Sequence, residues 1–135
     1  MKKIIKCKDT EFTIYVEDTD FQGVVYHANY LKYFERSRSE FLFDSGISQK
    51  DLRNESSAFV IKSIKIDFIL AAELGDQIIV QSSVEKKSNA RMIFYQKIIN
   101  KISGNEFVNG EVEVCYINLL TKKPKKFPDD LLLIF

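Results

Sequence analysis

One segment with the period of an amphipathic helix, followed by several segments with the period of strands, constrains this chain most. Between residues 28 and 43, aromatic and small side chains recur every three or four residues, which places them on one face of a helix. These side chains are Tyr30, Phe34, Ser37 and Phe41. The run Asp44-Ser45-Gly46 predicts the end of the helix.

Segments rich in β-branched and aromatic residues lie on both sides of this helix. They predict strands at residues 12–16, 58–69, 77–85, 92–100 and 111–118. Turn-like residues separate them, and we expect residues 101–109 to form a hairpin connection and residues 49–55 a short polar helix or a loop. The order β-α-β-β-β-β predicts an α+β fold in which one helix packs on an antiparallel sheet of five strands. We expect the basic tail that follows, ending in L-L-L-I-F, to pack back on this body.

The length of 135 residues predicts one domain, residues 1–135. Twenty basic and nineteen acidic residues give a net charge of +1, which offers no electrostatic case for binding nucleic acid or an anionic membrane. The longest apolar run is far shorter than the roughly 20 residues that span a bilayer, so we expect no membrane insertion and no signal peptide. Cys7 and Cys115 are read as reduced thiols, which favours a soluble protein of the cytoplasm.

Residues 17–30, between the first strand and the helix, bring three carboxylates, a glycine and the one histidine of the chain into a short span. Asp18 and Asp20 would point to the same face if the strand continued to Asp20, and independently if it ended earlier. A carboxylate near apolar groups can act as a base or a nucleophile, whereas in a solvated loop it only adds solubility or binds helix N–H groups. Both interpretations remain open on residue type alone.

His27 is the single histidine of the chain. Its imidazole can act as a base, an acid or a hydrogen-bond donor, or it can have a purely structural role. The backbone N–H groups around it fall in the first turn of the predicted helix, where four donors lack partners within the helix. Gly23, just before this turn, would let the backbone pass close to a ligand, or it is simply a turn residue.

Several known kinds of site are missing from the sequence. There is no phosphate-binding glycine loop, no G-x-S-x-G and no H-E-x-x-H, and one histidine excludes a histidine-rich metal site within one chain. We therefore expect neither a metal nor another cofactor. Lys86, Lys87 and Arg91 flank a predicted hairpin turn, where they either neutralise a phosphate or are solvated.

Three motifs of the first half of the chain, residues 18–20, 23–30 and 34–38, together resemble the signature of hotdog-fold acyl-CoA thioesterases. The resemblance is closest to the branch that contains 4-hydroxybenzoyl-CoA thioesterase and the Tol-Pal-associated thioesterases. It implies a sheet wrapped around one long central helix, with Asp20 as the catalytic carboxylate. It also implies that the backbone N–H of His27 binds the thioester carbonyl. Histidine at this position favours short- to medium-chain aliphatic acyl groups over aryl groups.

The same resemblance implies which other residues meet the substrate and how chains assemble. We predict that the acyl-CoA substrate is bound by Gly23, Val24, Tyr26, Tyr30, Lys86, Lys87 and Arg91. Two chains are expected to pair edge to edge into a homodimer with sites at the interface, and two dimers to form a homotetramer. The family branch also suggests a role in lipid metabolism.

Thioester hydrolysis is therefore the predicted activity, with Asp20 either attacking the carbonyl or activating a water molecule. Two other functions fit the same fold, since fold alone does not fix function. One is a non-catalytic module that binds acyl-carrier protein, which is also an alternative carrier of the substrate. The other is a hydratase of enoyl thioesters, which would release a hydroxyacyl thioester instead of a free thiol.

Overall fold

The computed structural model describes residues 3–135, in which six strands and three α-helices follow one another. The strands are β1 (Ile4–Lys6), β2 (Thr10–Thr13), β3 (Ser57–Phe68), β4 (Gln77–Lys86), β5 (Arg91–Asn100) and β6 (Glu106–Asn118). The helices are α1 (Tyr30–Asp44), α2 (Gln49–Asn54) and α3 (Asp129–Leu132). Two short 3₁₀ turns, Val16–Asp18 and His27–Asn29, lie between β2 and α1.

All strands belong to one antiparallel sheet in the order β1-β4-β5-β6-β3. Strand β2 also pairs with β4, beside the part of β4 that β1 leaves free. Strands β1 and β2 therefore share one edge of the sheet, and β3 forms the other edge. The predicted α+β fold with a long helix on an antiparallel sheet is confirmed, with six strands instead of five.

The two differences in strand count and position have simple causes. Strand β1 has only three residues, too few to show an alternating pattern. The first predicted strand, residues 12–16, is wrong at its end, because the chain leaves the sheet after Thr13 and forms the 3₁₀ turn at Val16–Asp18. This early end decides the direction of the acidic side chains that follow.

Helix α1 lies across the inner face of the sheet, as its periodicity predicts. Its four predicted core residues are all buried, and Phe34 is completely so. The facing strands contribute alternate apolar side chains, which is the pattern of a sheet with one covered face. The fully buried members are Ile78, Val80, Val84, Met92, Ile98, Val108 and Val112.

Strand β6 begins at Glu106, within the stretch predicted as a hairpin connection. The prediction is wrong there for residues 106–109, because this part of the chain already belongs to the strand: Asn109, like Gly110 after it, pairs with both β3 and β5. A Cβ atom at Gly110 would lie 2.8 Å from the Lys65 carbonyl oxygen and 3.1 Å from a ring carbon of Phe34. This glycine therefore marks a point of close approach between the helix and the sheet.

The C-terminal tail packs back on the body, as predicted. Phe127 and Leu131 are buried, and Leu132, Ile134 and Phe135 lie against the core. No helix within residues 3–135 is long and apolar enough to cross a membrane.

Candidate active site

The loop between β2 and α1 is closed by the buried residue Asp18. The Asp18 carboxylate accepts the Tyr15 N–H at 2.8 Å. The Asp18 carbonyl oxygen accepts the Tyr26 N–H at 3.0 Å and the Asn29 side-chain N–H at 2.9 Å. Asp18 is thus engaged in holding the loop against the start of the helix, and its role is structural.

Asp20 has a different environment, only two residues later. Its side chain is half-buried, and one carboxylate oxygen accepts the Gln22 N–H at 2.9 Å. Within residues 3–135 no lysine, arginine or histidine nitrogen lies within 4 Å of this carboxylate. The strand ends before these residues, so the two carboxylates point independently, and Asp20 is the one left available to a ligand.

Gly23 closes the turn that presents Asp20. Its N–H donates to the Asp20 carbonyl oxygen at 3.1 Å, and its carbonyl oxygen accepts the Leu74 N–H at 3.1 Å. Its φ of +80° is in the left-handed region, which favours glycine. A Cβ atom there would meet nothing within 4 Å, so the turn needs glycine for its backbone angle and not for a close approach.

The next residues fix the turn to the loop before β4. Val24 forms a bridge to Glu73, and the N–H of Val25 donates to the Ala72 carbonyl oxygen at 2.8 Å. The Tyr30 hydroxyl accepts the Ala72 N–H at 3.0 Å, and burial raises the pKa of this phenol while the bond from Ala72 lowers it. Tyr30 therefore anchors the start of the helix, whereas Tyr26 is half-exposed.

The start of the helix leaves backbone donors without acceptors. In the part of the chain that the structure describes, no hydrogen bond uses the N–H of His27 or Ala28. Asn29 occupies the position of a capping residue, but its side chain donates to Asp18 and makes no cap bond. The exposed His27 ring lies 4.5 Å from the Tyr26 ring and 6.1 Å from the Phe68 ring.

The predicted basic residues lie elsewhere. Lys86, Lys87 and Arg91 flank the turn between β4 and β5, where Lys87 and Arg91 lie 3.1 Å and 3.6 Å from the Glu113 carboxylate. The hydrogen bond from Lys87 is the main cause that lowers the pKa of Glu113. The Asp20 loop lies at the opposite end of β4, which is about 30 Å long at the usual strand rise. One chain therefore brings Asp20, Gly23, Val24 and His27 together, but not the three basic residues.

Sequence reasoning missed a buried polar cluster under the helix. Arg38 donates to the Gln96 side-chain oxygen at 3.0 Å, and the Gln96 side-chain N–H contacts Ser82, which in turn lies 3.1 Å from Ser37. All four side chains are buried. Their sequence signal is weak, because a polar residue in an amphipathic helix is normally read as exposed.

Neither the main surface groove nor a cluster of metal-ligating side chains suggests a second active site within residues 3–135. A groove of about 540 Å³ is lined by polar residues such as Tyr95 and Lys97 and contains none of the predicted site residues. No group of three or more metal-ligating side chains that could hold a metal ion occurs in residues 3–135.

Comparison with known proteins agrees with this geometry. The sequence model of the thioesterase-like superfamily matches residues 14–135. The chain belongs to that superfamily. The acyl-CoA thioesterase YbgC of Haemophilus influenzae is 37% identical over 119 residues, which cover 87% of this chain and 86% of the relative. The predicted resemblance to thioesterases and the prediction of a thioester hydrolase are both confirmed.

Solved structures of thioesterases have the same fold as this chain. A probable thioesterase from Bartonella henselae is 36% identical, with a TM-score of 0.78 over 91% of this chain and 99% of that chain. A 1,4-dihydroxy-2-naphthoyl-CoA thioesterase from Synechocystis has a TM-score of 0.88 at 21% identity, over 96% of this chain and 93% of that chain. The second likeness shows the fold alone, and the predicted hotdog architecture is confirmed.

Proposed function

We propose that this thioesterase hydrolyses short- to medium-chain aliphatic acyl-CoA esters to the free acid and coenzyme A. In the proposal, Asp20 is the nucleophile or the general base, and the N–H of His27 binds the carbonyl oxygen. The observation that carries the proposal is the division between the two aspartates. Asp18 is buried and bonded to the loop, whereas Asp20 is half-buried and has no cationic partner among the described residues.

The helix start supports the assignment of the oxyanion site. The N–H groups of His27 and Ala28 have no acceptor among the described residues, and α1 adds a partial positive charge at this end. Donors fixed in place before the reaction stabilise the charge that develops on a thioester carbonyl oxygen. A backbone donor is present whatever side chain follows it, so the imidazole of His27 is not required for this role.

Two routes lead from this arrangement to the same products. In one, an Asp20 oxygen attacks the thioester carbon, the C–S bond breaks, the thiolate leaves and takes a proton, and water then hydrolyses the mixed anhydride. In the other, Asp20 takes a proton from a water molecule as that water attacks, and the thiolate leaves with the proton. Single turnover in ¹⁸O-labelled water places the label in Asp20 only by the anhydride route.

The position of the basic residues supports a site shared by two chains. Strand β3 is an edge strand, and Ile61, Ile64 and Phe68 on it are exposed. The ring of His27 approaches Phe68 at one end of β3. The turn with Lys87 and Arg91 lies toward the other end, because Arg91 and Val60 both pair with Cys115.

Antiparallel pairing of β3 with the same strand of a second chain brings these two ends together. The loop with Asp20 then faces the Lys86, Lys87 and Arg91 of the second chain, whose positive charges suit the phosphates of coenzyme A. We therefore include the homodimer in the proposal, with Gly23, Val24, Tyr26 and Tyr30 on the acyl side. Assembly of two dimers into a homotetramer is part of the same proposal.

The proposed compartment is the cytoplasm, because Cys7 and Cys115 are free thiols. Coenzyme A is the proposed carrier because the relative from Haemophilus influenzae bears the name acyl-CoA thioesterase. Acyl-carrier protein remains the alternative carrier, and its esters belong in the same substrate panel. A place in lipid metabolism follows only if aliphatic esters are the preferred substrates.

The test is free-thiol release from a panel of acyl-CoA and aryl-CoA esters by wild type, Asp20→Asn and Asp44→Asn. Asp44 is an exposed aspartate at the end of α1 and serves as the matched control. We expect Asp20→Asn to lose about 100-fold or more of kcat, and Asp44→Asn to keep wild-type turnover. His27→Ala is expected to lose less than Asp20→Asn, because it keeps the backbone N–H.

An enzyme-only blank corrects for the two thiols of the chain itself. Turnover by Asp20→Asn close to that of wild type would contradict the role of Asp20. A folded protein that binds acyl-carrier protein and hydrolyses no ester would favour the non-catalytic module. Hydroxyacyl thioester in place of free thiol would favour the hydratase.

A further inference from the structure

A small cavity with both apolar and polar walls lies between helix α1 and the β3 edge of the sheet. Its volume is about 150 Å³, and Leu42, Phe59, Ile61 and Phe94 form much of its wall. An apolar protein cavity of about this volume accommodates a group the size of benzene. The space is therefore suited to about six non-hydrogen atoms of a ligand.

One wall of this cavity is the charged side chain of Arg38, which is only 9% exposed. A guanidinium group has five N–H donors, and within residues 3–135 a single acceptor, the Gln96 side-chain oxygen at 3.0 Å, bonds to it. Among residues 3–135 no carboxylate lies within 4 Å of Arg38. Burial lowers the pKa of Arg38, and the more distant Glu35 carboxylate raises it.

The position of Arg38 is fixed by the groups behind it. The side-chain nitrogen of Gln96 donates to the Phe34 carbonyl oxygen and contacts the Ser82 hydroxyl, each at 3.0 Å. These contacts orient the amide so that its oxygen faces Arg38. The guanidinium is thus held against the cavity wall before any ligand enters, which reduces the entropy lost on binding.

A buried guanidinium with one neutral acceptor is costly unless an anion completes its hydrogen bonds. The cavity adjoins Phe59 and Ile61, in the half of β3 that two-fold pairing places beside the Asp20 loop of a second chain. We infer that this cavity binds the far end of the acyl group and that Arg38 selects acyl groups ending in a carboxylate. This inference rests on the proposed function and names its substrate class: monothioesters of four- to six-carbon dicarboxylic acids.

Glu35 limits the strength of this selection. It also lines the cavity, is exposed, and accepts the Ser39 hydroxyl at 2.7 Å. A carboxylate bound to Arg38 is repelled by the nearby Glu35 charge. Replacing Glu35 by glutamine therefore strengthens the preference for a carboxylate-ended acyl group, whereas an acyl end that lies outside the cavity predicts no such change.

The test compares glutaryl-CoA with pentanoyl-CoA, which have the same carbon number and differ in the terminal carboxylate. The readout is the ratio of kcat/KM for the two esters in wild type, Arg38→Met, Glu35→Gln and Arg36→Met. Arg36 is the matched control, because it is an exposed arginine on the same helix whose guanidinium lies over the Phe12 and Tyr33 rings. We expect wild type to prefer glutaryl-CoA and Arg38→Met to lose about 100-fold of this preference, because the charged group that binds the terminal carboxylate is removed.

The outcomes separate this inference from the proposed function. Hydrolysis of pentanoyl-CoA without hydrolysis of glutaryl-CoA overturns the inference and leaves the thioesterase proposal intact. Equal losses on both esters in Arg38→Met mean that Arg38 has only a structural role, which also overturns it. No hydrolysis of any ester contradicts the proposed function itself. If Arg38→Met does not fold, Glu35→Gln decides, since an unchanged ester ratio in that variant is incompatible with a carboxylate beside Arg38.

Discussion

Gly110 and Phe34 touch where the helix crosses the sheet. An added Cβ atom on Gly110 would lie 3.1 Å from a ring carbon of Phe34, closer than ordinary van der Waals contact. Both residues are central, since Phe34 is fully buried and Gly110 pairs with strands on both sides. The distance between helix and sheet therefore depends on the absence of one side chain in β6.

We expect Gly110→Ala to destabilise the protein by about 1–3 kcal/mol, the usual cost of overpacking a core. Urea unfolding measures the change. The double variant Gly110→Ala with Phe34→Leu should recover part of the loss by removing the ring, although the contact with the Lys65 carbonyl oxygen persists. If the urea unfolding midpoint of Gly110→Ala equals that of wild type, the helix can shift on the sheet to make room for the added methyl group.

The hydroxyl of Tyr30 supports the segment before β4. Tyr30→Phe removes the acceptor of the Ala72 N–H, and Ala72 is completely buried, so this donor loses its partner. We expect a loss of about 1–3 kcal/mol in the free energy of unfolding. Tyr26→Phe is the control, because Tyr26 is half-exposed and should change stability little. Equal unfolding midpoints for the two variants would contradict an anchoring role of Tyr30.

The sequence predicts the helix, five of the six strands and the site loop because each has a local signal. Alternation marks β3, β4 and β5, and the Asp-Ser-Gly run marks the end of α1. Gly110 falls just outside the predicted strand at residues 111–118, because a glycine in a turn and a glycine under a ring look the same in one sequence. Strand β1 is stabilised by pairing with β4, which no three-residue pattern can reveal.

The residues of the site also differ in how far the sequence predicts them. The motif with Asp20 and His27 is continuous in the chain, so resemblance finds it without a structure. The cavity wall is different, because Arg38, Phe59 and Phe94 are distant in sequence and meet only in the fold. Arg38 lies four residues after Phe34 and three before Phe41, beside the predicted buried face, but an arginine is normally read as exposed. The spacing therefore does not predict that its charge is buried.

Alkaline pH should destabilise the protein through its buried thiol. Burial raises the pKa of Cys7 from 9.0 to about 11. The unfolded chain releases this proton at lower pH than the folded protein, so the folded state binds more protons in this range and its stability falls as pH rises from about 9 to 11. Unfolding midpoints across this range should fall less in Cys7→Ala than in wild type. Parallel pH curves for the two proteins would show that Cys7 contributes nothing to this loss.

The separation of the Asp20 loop from the basic turn makes subunit complementation a direct test of the shared site. Each of two variants, Asp20→Asn and the triple variant Lys86→Ala, Lys87→Ala, Arg91→Ala, should be impaired alone at low substrate concentration. After the two are mixed, unfolded together and refolded, half of the dimers are mixed and each mixed dimer holds one complete site. Activity should then rise to about a quarter of that of wild type.

The control for this experiment adds Ile64→Lys to both variants. Ile64 is exposed on the free edge of β3, where a lysine opposes pairing with a second strand. Size-exclusion chromatography should then show monomers, and mixing should restore no activity. A site completed by a second chain requires dimers and recovered activity to appear together. Recovery of activity without dimers, or dimers without recovery of activity, would therefore contradict a site shared by Asp20 and the basic turn.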